Sequence, residues 1–377
     1  MERVSLGRGI LRAMRRFAGF AIPLLLTGCA TAMGGTAPAA TAEPLKVTTV
    51  VSGLTHPWDV GFLPDGRFLV PQRPGRIALV DKGVATTLTA DLSDVVARGE
   101  GGLMSLLVHP DFATSRQFTT CYNTASDIRL VTWELDGTTA RKVKNPLLGG
   151  FPVNASGRHS GCKLAVDKEG ALLVGTGDTA NARAAQNRQS LGGKVLRLNL
   201  KTGAAFTGTD RVYSYGHRNV QGIAVRSDGL VLTAEHGPST DDEINLHKPG
   251  NFGWDPSKGG TQDRYDESVP MTDTRRFPDA VPAVWSSGRP TEAISAAAFL
   301  SGPQWKTLDG WLAVTALRGT KLLLFSVAKD GKVANRTVPP ELSTKFGRLR
   351  AAVQGPDGAL YLSTSNGTDD KILKVTL

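Results

Sequence analysis

Pairs of short apolar runs recur along the chain, and a polar turn containing Asp or Glu and Gly separates the two runs of each pair. The clear copies are DVGFLPDGRFLVPQ (59–72), KLAVDKEGALLVGTGD (163–178), GIAVRSDGLVLTAEHG (222–237) and AAVQGPDGALYLSTSNG (351–367). Glycine in such a turn can adopt a positive φ, so each phrase predicts a β-hairpin. Fainter copies, GLMSLLVHPDF and SAAAFLSG…GWLAVTALRGTKLLLFSV, extend the series.

This repetition predicts the fold class. Six units at roughly 55 residues each match the size of a four-stranded propeller blade. We therefore expect an all-β, six-bladed β-propeller of four-stranded antiparallel blades over residues 45–377, closed by pairing of the first strand with the last blade. Two stacked β-sandwiches are the alternative, but no linker separates two halves.

The N-terminus has the pattern of an export signal. Five arginines against one glutamate precede the apolar run FAGFAIPLLLTGCATA, which is too short to span a bilayer. LTGC (26–29) resembles the bacterial lipoprotein processing box, which would make Cys29 the lipidated first residue; an ordinary cleavage site is the alternative. We expect a signal peptide at 1–28, a flexible tether at 29–44, and an exported protein that touches the membrane only through its lipid.

The charge of the chain does not indicate nucleic-acid binding. The formal net charge is +10, but the cations outside the signal region are scattered and form no basic helix or aromatic platform. We expect no nucleic-acid partner.

The three cysteines divide by position. With Cys29 assigned to the lipid, Cys121 and Cys162 remain, and outside the cytoplasm such thiols usually pair. Closing the loop between them contributes about 4 kcal/mol by chain entropy. We predict a disulfide, with a free buried thiol as the alternative.

Candidate chemistry lies where the repeat places strand ends. The chain has no G-x-G-x-x-G, Walker, G-x-S-x-G or H-E-x-x-H motif, and its six histidines lack metal-ligand spacing. Four arginines from separate units are expected at one mouth of the propeller, where they would need an anion with several carboxylates or phosphates between them. Solvated edges or backbone hydrogen bonds are alternatives for these residues: Arg218, Arg318, Arg348 and Arg350.

Four long motifs, which occur in the chain in the order typical of one family, carry a resemblance to that family. YSYGHRNVQG, EHGPSTDDEIN followed by NFGW, EGGLMSLLVHPDF and GRLRAAVQGPDGALYLST resemble the soluble PQQ-dependent glucose/aldose dehydrogenases, also called the glucose/sorbosone dehydrogenase domain, across residues 46–377. The resemblance implies a six-bladed propeller that oxidises the anomeric hydroxyl of aldoses to lactones, using pyrroloquinoline quinone (PQQ) and Ca²⁺. It implies an aldose substrate and an electron acceptor that the sequence does not identify.

The resemblance also implies roles for individual residues. The local sequence alone favours a satisfied loop histidine at His159, but the resemblance makes it the general base for hydride transfer to the quinone, a role that suits an imidazole near neutral pH. Arg218, also counted as catalytic, and Asn219 would contact the quinone oxygens, and Arg318, Arg348 and Arg350 the cofactor. Glu100 stands where many members carry Gln near the quinone, so its carboxylate needs a proton or an arginine partner.

For the metal, the resemblance points to the backbone carbonyls of Gly237 and Pro238 as calcium ligands. The acidic run that includes Asp242 and Glu243 could hold a second, structural calcium, and a solvated acidic loop is the alternative. Two other functions stay open: a non-catalytic propeller that binds a ligand or partner, and a calcium-dependent lactonase on a similar scaffold.

Overall fold

The computed structural model describes residues 43–377. The predicted signal peptide, Cys29 and all of the predicted tether except Glu43 and Pro44 lie outside these residues. The described chain is almost entirely β-structure, with a one-turn helix α1 at Phe112–Ser115 and 3₁₀ helices at Pro303–Leu308 and Pro340–Leu342. None of the helices in this part of the chain is long and apolar enough to cross a membrane.

Six sheets form the blades of a β-propeller. After strand β1 (Lys46–Leu54), the first three blades follow in chain order. Blade 1 is β2 (Gly61–Phe62), β3 (Phe68–Gln72), β4 (Arg76–Asp81) and β5 (Val84–Thr87). Blade 2 is β6 (Thr89–Ala90), β7 (Leu103–Val108), β8 (Gln117–Asn123), β9 (Ile128–Asp136) and β10 (Thr139–Phe151). Blade 3 is β11 (Gly161–Val166), β12 (Ala171–Thr176), β13 (Lys194–Asn199) and β14 (Val212–Tyr215).

The other three blades repeat the same antiparallel order. Blade 4 is β15 (Val220–Val225), β16 (Val231–Glu235), β17 (Glu243–Leu246) and β19 (Trp285–Ser286), while β18 (Gly250–Asn251) joins blade 3. Blade 5 is β20 (Ile294–Phe299), β21 (Leu312–Ala316), β22 (Lys321–Val327) and β23 (Val333–Thr337). Blade 6 is β24 (Leu349–Gln354), β25 (Leu360–Thr364) and β26 (Asp370–Thr376), completed by β1.

The predicted six-bladed fold is confirmed, with one difference in strand count. Blades 2 and 3 each carry a fifth strand of two residues, β6 and β18, which pairs in parallel with the outer strand. The predicted ring closure is also observed, because β1 pairs antiparallel with β26. All four repeated phrases form inner hairpins, and their turn glycines have positive φ, for example 87° at Gly66 and 100° at Gly229.

Apolar side chains from neighbouring blades form the core. Six clusters of buried residues each lie between two consecutive blades, including the cluster between blades 6 and 1 that closes the ring. The predicted disulfide is present: Cys121 on β8 and Cys162 on β11 are bonded across a sequence separation of 41, with their Cα atoms 6.1 Å apart. It links blade 2 to blade 3, immediately beside the turn that carries His159.

Candidate functional site

One end of the propeller collects the polar residues, and we call it the site end. There the inner strands β7, β11, β15, β20 and β24 begin, and the loops between the second and third strands of each blade lie beside those starts. Contacts across blades show this: Ser160 N, before β11, donates to Glu100 before β7, and Arg350 at the start of β24 donates to Gln221 on β15. Residues far apart in sequence thus meet around one mouth.

His159 is the central imidazole of this end. It lies two residues before β11 with a φ of 50°, and its side chain is 7% exposed. Its Nδ1 atom lies 2.8 Å from Asp178 Oδ1, and Asp178 follows the neighbouring strand β12. Within residues 43–377 no group forms a hydrogen bond with His159 Nε2. The imidazole is therefore held at one nitrogen and available at the other.

Asp178 is fully buried and accepts four hydrogen bonds. His159 and the backbone N–H of Ala180 bind Oδ1, while the Trp254 indole at 2.8 Å and the Tyr265 hydroxyl at 2.6 Å bind Oδ2. Burial alone would raise the pKa of this carboxyl, but His159, the phenol donor and nearby Arg218 outweigh it and lower that pKa. Asp178 is thus an ionised group that orients His159.

Arg350 lies in the wall of the mouth. It is buried, its guanidinium carbon is 3.4 Å from the Trp58 ring centroid, and Nη1 donates to Gln221 at 3.3 Å. Its Nε atom is buried without a hydrogen-bond partner among the described residues. Burial lowers the pKa of Arg350 to about 9. The charge of Glu100 opposes this shift, and the charges of Arg348 and Arg73 add to it.

Arg218 contributes a second buried guanidinium. It is 4% exposed, and its Nη1 and Nη2 atoms donate to the His236 carbonyl at 2.7 Å and to Glu267 at 2.6 Å. Its Nε atom is buried and has no partner within the described chain. The expectation that Arg218 bonds a backbone carbonyl and the expectation that it faces the mouth therefore both describe this side chain.

His236 lies close to several of these positive charges. Its pKa is lowered well below the ordinary value, first by burial and then by the positive charges of Arg218, His159, Arg350 and Arg348. All four groups therefore lie within electrostatic range of one imidazole. Contacts also link Arg350 to the neighbourhood of Arg218, since Arg350 donates to Gln221 and Gln221 donates to Asn219, the residue after Arg218, whereas Arg348 is exposed.

Two of the predicted cofactor residues are placed differently from these arginines. Arg318 lies in the exposed turn between β21 and β22, at the site end, and its guanidinium has no hydrogen bond or ion pair within residues 43–377. Glu100 accepts hydrogen bonds from Ser160 N at 2.5 Å and from Asn219 Nδ2 at 3.2 Å. Its carboxylate thereby holds Asn219 and the His159 turn, and lies close enough to Arg350 to balance part of its charge.

The predicted calcium ligands divide into two groups. No hydrogen bond to the backbone carbonyls of Gly237 and Pro238 is formed within residues 43–377, whereas both oxygens of Asp242 accept backbone N–H groups, from Gly237 at 2.9 Å and Glu292 at 2.6 Å. Glu243 is buried beside Glu235, and both effects raise its pKa to about 8. The described residues contain no cluster of three or more His, Cys, Asp or Glu that could hold a metal.

The sequence reasoning missed several residues of this site. Asp178 closes one of the repeated phrases, so its position after a second strand was a usable signal. The other side chains follow no local motif, because loops and strands of other blades bring them to the mouth. They are Trp58, Arg73, Gln221, Tyr265 and Glu267.

The fold and the site define a class: a six-bladed propeller with an oriented histidine inside a group of guanidinium ions. Residues 54–374 match the family model described as Glucose / Sorbosone dehydrogenase, and the chain belongs to this family. It is 29% identical to aldose sugar dehydrogenase YliI of Escherichia coli over 404 aligned positions, which cover 96% of this chain and 99% of that protein.

Two further relatives share the fold or the sequence. Quinoprotein glucose dehydrogenase B of Acinetobacter calcoaceticus is 30% identical over 266 residues, covering 59% of this chain and 55% of that protein. The structure of the PQQ-bound form of aldose sugar dehydrogenase from Streptomyces coelicolor superposes with a TM-score of 0.72 at 30% identity, and covers 88% of this chain and 98% of that one.

Proposed function

We propose that this protein is a PQQ-dependent aldose dehydrogenase that oxidises the anomeric hydroxyl of an aldose to a lactone. The observation that carries the proposal is His159, oriented by Asp178 through Nδ1 and open at Nε2, inside a group of arginines from separate blades. Its relatives include a quinoprotein glucose dehydrogenase and a PQQ-bound aldose sugar dehydrogenase, which supports the same reaction class.

The donor set fits a flat, multiply charged anion such as PQQ. The Nε atoms of Arg73, Arg218 and Arg350 are buried without partners among the described residues, and a buried N–H is costly unless an acceptor arrives. Arginine suits carboxylate recognition because its N–H groups form a rigid fork. We assign the quinone to Arg218, Asn219, Arg348 and Arg350, with Arg318 and Glu100 as further candidates at the same mouth.

The chemistry divides between cofactor and protein. Bound PQQ would supply the acceptor for the hydride that leaves C1 of the sugar. His159 Nε2 accepts the hydroxyl proton of the same carbon, so that the alcohol loses a hydride and a proton and becomes a lactone. Asp178 keeps the proton of His159 on Nδ1 and stabilises the imidazolium that forms. Arg218 would stabilise the negative charge that develops on the quinone oxygens.

Calcium remains part of the proposal only through backbone oxygens. The carbonyls of Gly237 and Pro238 are free of intramolecular hydrogen bonds within residues 43–377, and oxygen ligands suit Ca²⁺. Both oxygens of Asp242 accept backbone N–H groups. Glu243 accepts hydrogen bonds from Thr272 and Asn245, while its pKa is raised by burial and by the charge of Glu235. We therefore assign Asp242 and Glu243 a structural role in blade 4, in preference to a role as ligands of a structural calcium.

The proposal includes location and partners. A basic start, a short apolar run and LTGC support export and lipid attachment at Cys29, with contact to the membrane through that lipid only. The electron acceptor is then a molecule or protein that reaches the site end outside the cytoplasm.

Titration of the purified protein with PQQ tests the proposal. Absorbance should follow saturable binding, and the loaded protein should reduce an artificial dye when aldoses are added, with and without Ca²⁺. Arg350→Gln should weaken PQQ binding by about 10- to 100-fold because a charged hydrogen-bond donor is lost. Arg336→Gln, at an exposed position on β23, is the matched control and should bind as wild type.

Other outcomes assign the other functions. A folded protein that binds no PQQ at micromolar concentrations would favour a non-catalytic binding propeller. Hydrolysis of a lactone with Ca²⁺ and without quinone would identify a calcium-dependent lactonase.

A further inference from the structure

A long segment without helix or strand reaches into the site. Residues 252–284 connect β18 to β19, and Trp254, Val269 and Met271 from this segment pack on Ala185, with Tyr265 at the edge of the cluster. Ala185 lies in the loop that begins with Asp178 and its neighbours. Loops of this length inside a compact domain are usually functional. The segment therefore has a fixed place beside the His159–Asp178 pair.

Tyr265 contacts both members of that pair. Its hydroxyl donates to Asp178 Oδ2 at 2.6 Å, its oxygen lies 3.2 Å from His159 Nδ1, and the Tyr265 and His159 ring centroids are 5.7 Å apart. Burial, followed by the charge of Asp178, raises the pKa of Tyr265 far above its ordinary value. The phenol therefore keeps its proton at any pH at which the protein works.

This geometry determines which nitrogen of His159 carries the proton. Nδ1 faces two oxygens, Asp178 Oδ1 and Tyr265 Oη. The only phenol proton is committed to Asp178 Oδ2, so both oxygens act as acceptors towards Nδ1. The neutral imidazole is then protonated at Nδ1 and has its lone pair on Nε2, the nitrogen that is open to the mouth.

We propose that Tyr265 is a positioning residue, which fixes the Asp178 carboxylate and selects the His159 tautomer with a free Nε2. The inference rests on the proposed role of His159 as base. Tyr265 does not touch the reacting atoms; it acts through Asp178. Trp254 also donates to Asp178 Oδ2, but among the described residues Tyr265 alone both donates to that oxygen and contacts His159.

An ion pair keeps Tyr265 in position. Glu267, two residues further along, forms ion pairs at 2.6 Å with both Arg158 and Arg218. The Arg158 guanidinium also lies over the Tyr265 ring, 5.5 Å from its centroid. The segment is thereby tied to the turn before β11 and to the turn before β15.

Several charged or titratable groups face the His159–Asp178 pair and contribute to its titration. Arg218 acts on Asp178 and on Tyr265, His236 lies within electrostatic range of His159, and Lys194 senses the charge of Asp178. Glu267 and Arg158 stand behind Tyr265. A Tyr265 variant that leaves these groups unchanged isolates the effect of the phenol.

The experiment compares Tyr265→Phe with Tyr361→Phe. Tyr361 donates to Asp357 at 2.9 Å on blade 6, away from the site end, so the control loses the same kind of hydrogen bond. In Tyr265→Phe the Asp178 carboxylate loses a hydrogen-bond donor, so its negative charge stabilises the imidazolium of His159 more strongly. The imidazole of His159 should therefore titrate at higher pH than in the wild type. The acid limb of the kcat profile should move in the same direction, and kcat should fall about tenfold, part of the usual contribution of a base. KM for the aldose, PQQ affinity and thermal unfolding should match the control.

NMR on the protein without quinone, with isotope-labelled histidine, separates this inference from the proposed function. Tyr265→Phe should shift the His159 signals and their titration, whether or not the wild type oxidises any aldose. Unchanged His159 signals and an unchanged acid limb in a folded variant would overturn the positioning role. A fall in kcat with neither change would assign Tyr265 to support of the loop alone, which also overturns it.

Discussion

Two neighbouring blades contain the same histidine–carboxylate arrangement with different outcomes. In blade 3, His159 precedes the inner strand and Asp178 follows the second strand; in blade 4, His217 precedes the inner strand and Glu235 ends the second strand. In both pairs Nδ1 lies 2.8 Å from a carboxylate oxygen. The repeat of the propeller thus produces two oriented, buried imidazoles.

The two histidines differ in the partner of their second ring nitrogen, Nε2. His217 Nε2 lies 2.8 Å from the Ser214 hydroxyl, and the ring stacks on Phe252 with centroids 4.3 Å apart. His159 Nε2 has no partner within residues 43–377. A base needs a free lone pair directed at its substrate, so of these two histidines only His159 meets the requirement of the proposed base. A histidine–carboxylate pair is therefore insufficient as a sign of catalysis.

The carboxylates differ as well. Asp178 has its pKa lowered by His159 and hydroxyl donation despite full burial, and its second oxygen binds an indole and a phenol. Glu235 instead lies beside Glu243, whose pKa is raised to about 8 by burial and by the Glu235 charge. Asp178 thus has donors on both of its oxygens, whereas Glu235 lies beside a second buried acid, Glu243, whose carboxyl group keeps its proton near neutral pH.

Replacing each histidine by glutamine gives the largest expected contrast. His159→Gln should lower kcat by about 10² to 10⁴, the usual contribution of a general base, and should still bind PQQ. His217→Gln should instead lower the free energy of unfolding by about 1–3 kcal/mol, because a buried hydrogen-bonded pair is disturbed. Dye-linked turnover and urea unfolding of both variants measure the contrast. Full turnover in His159→Gln would remove the base assignment.

The pH dependence of stability should come from the blade 4 pair. The unfolded Glu243 carboxyl ionises near its ordinary pKa of 4.5, whereas the folded one keeps its proton up to about 8. Between these values the folded state binds more protons, so stability falls as pH rises and the contribution is lost above the folded pKa. The loss is on the order of a few kcal/mol.

Glu243→Gln should flatten that part of the profile, measured by urea unfolding at pH values on either side of the range. Glu169→Gln, at an exposed carboxylate, is the matched control and should retain the wild-type slope. Stabilisation of the wild type by Ca²⁺ that is absent in Glu243→Gln would instead identify a metal ligand and contradict the interpretation that the Glu243 carboxyl group stays protonated.

Removing the hydrogen-bond partner of His217 Nε2 gives the smallest expected effect. Ser214→Ala leaves His217 Nε2 unpaired and should lower the unfolding free energy by about 1–2 kcal/mol, with kcat unchanged. Ser326→Ala, which removes a hydroxyl from an exposed hydrogen bond at the edge of blade 5, should cost less. Equal losses in the two variants would show that Ser214 adds no buried bond of consequence.

The sequence was sufficient where the information is local or repetitive. Alternating apolar runs and turn glycines predicted the hairpins, their repetition predicted six blades, and the count of cysteines predicted the Cys121–Cys162 bond. The arginines on either side of Leu349 were visible in the motif GRLR, but only Arg350 lies on β24; Arg348 precedes the strand and is exposed. Family motifs added the roles proposed for His159 and Arg218.

Only the tertiary structure decided what surrounds these residues. It brought Asp178 and Tyr265 to His159, Trp58 to Arg350, and Ser160 and Asn219 to Glu100, and it engaged Asp242 and Glu243 within blade 4. The sequence determined the ring because each blade is built from short-range alternation of apolar and polar positions. It could not determine the site, because closing the ring places side chains from different blades within hydrogen-bond distance, and no local pattern records those distances.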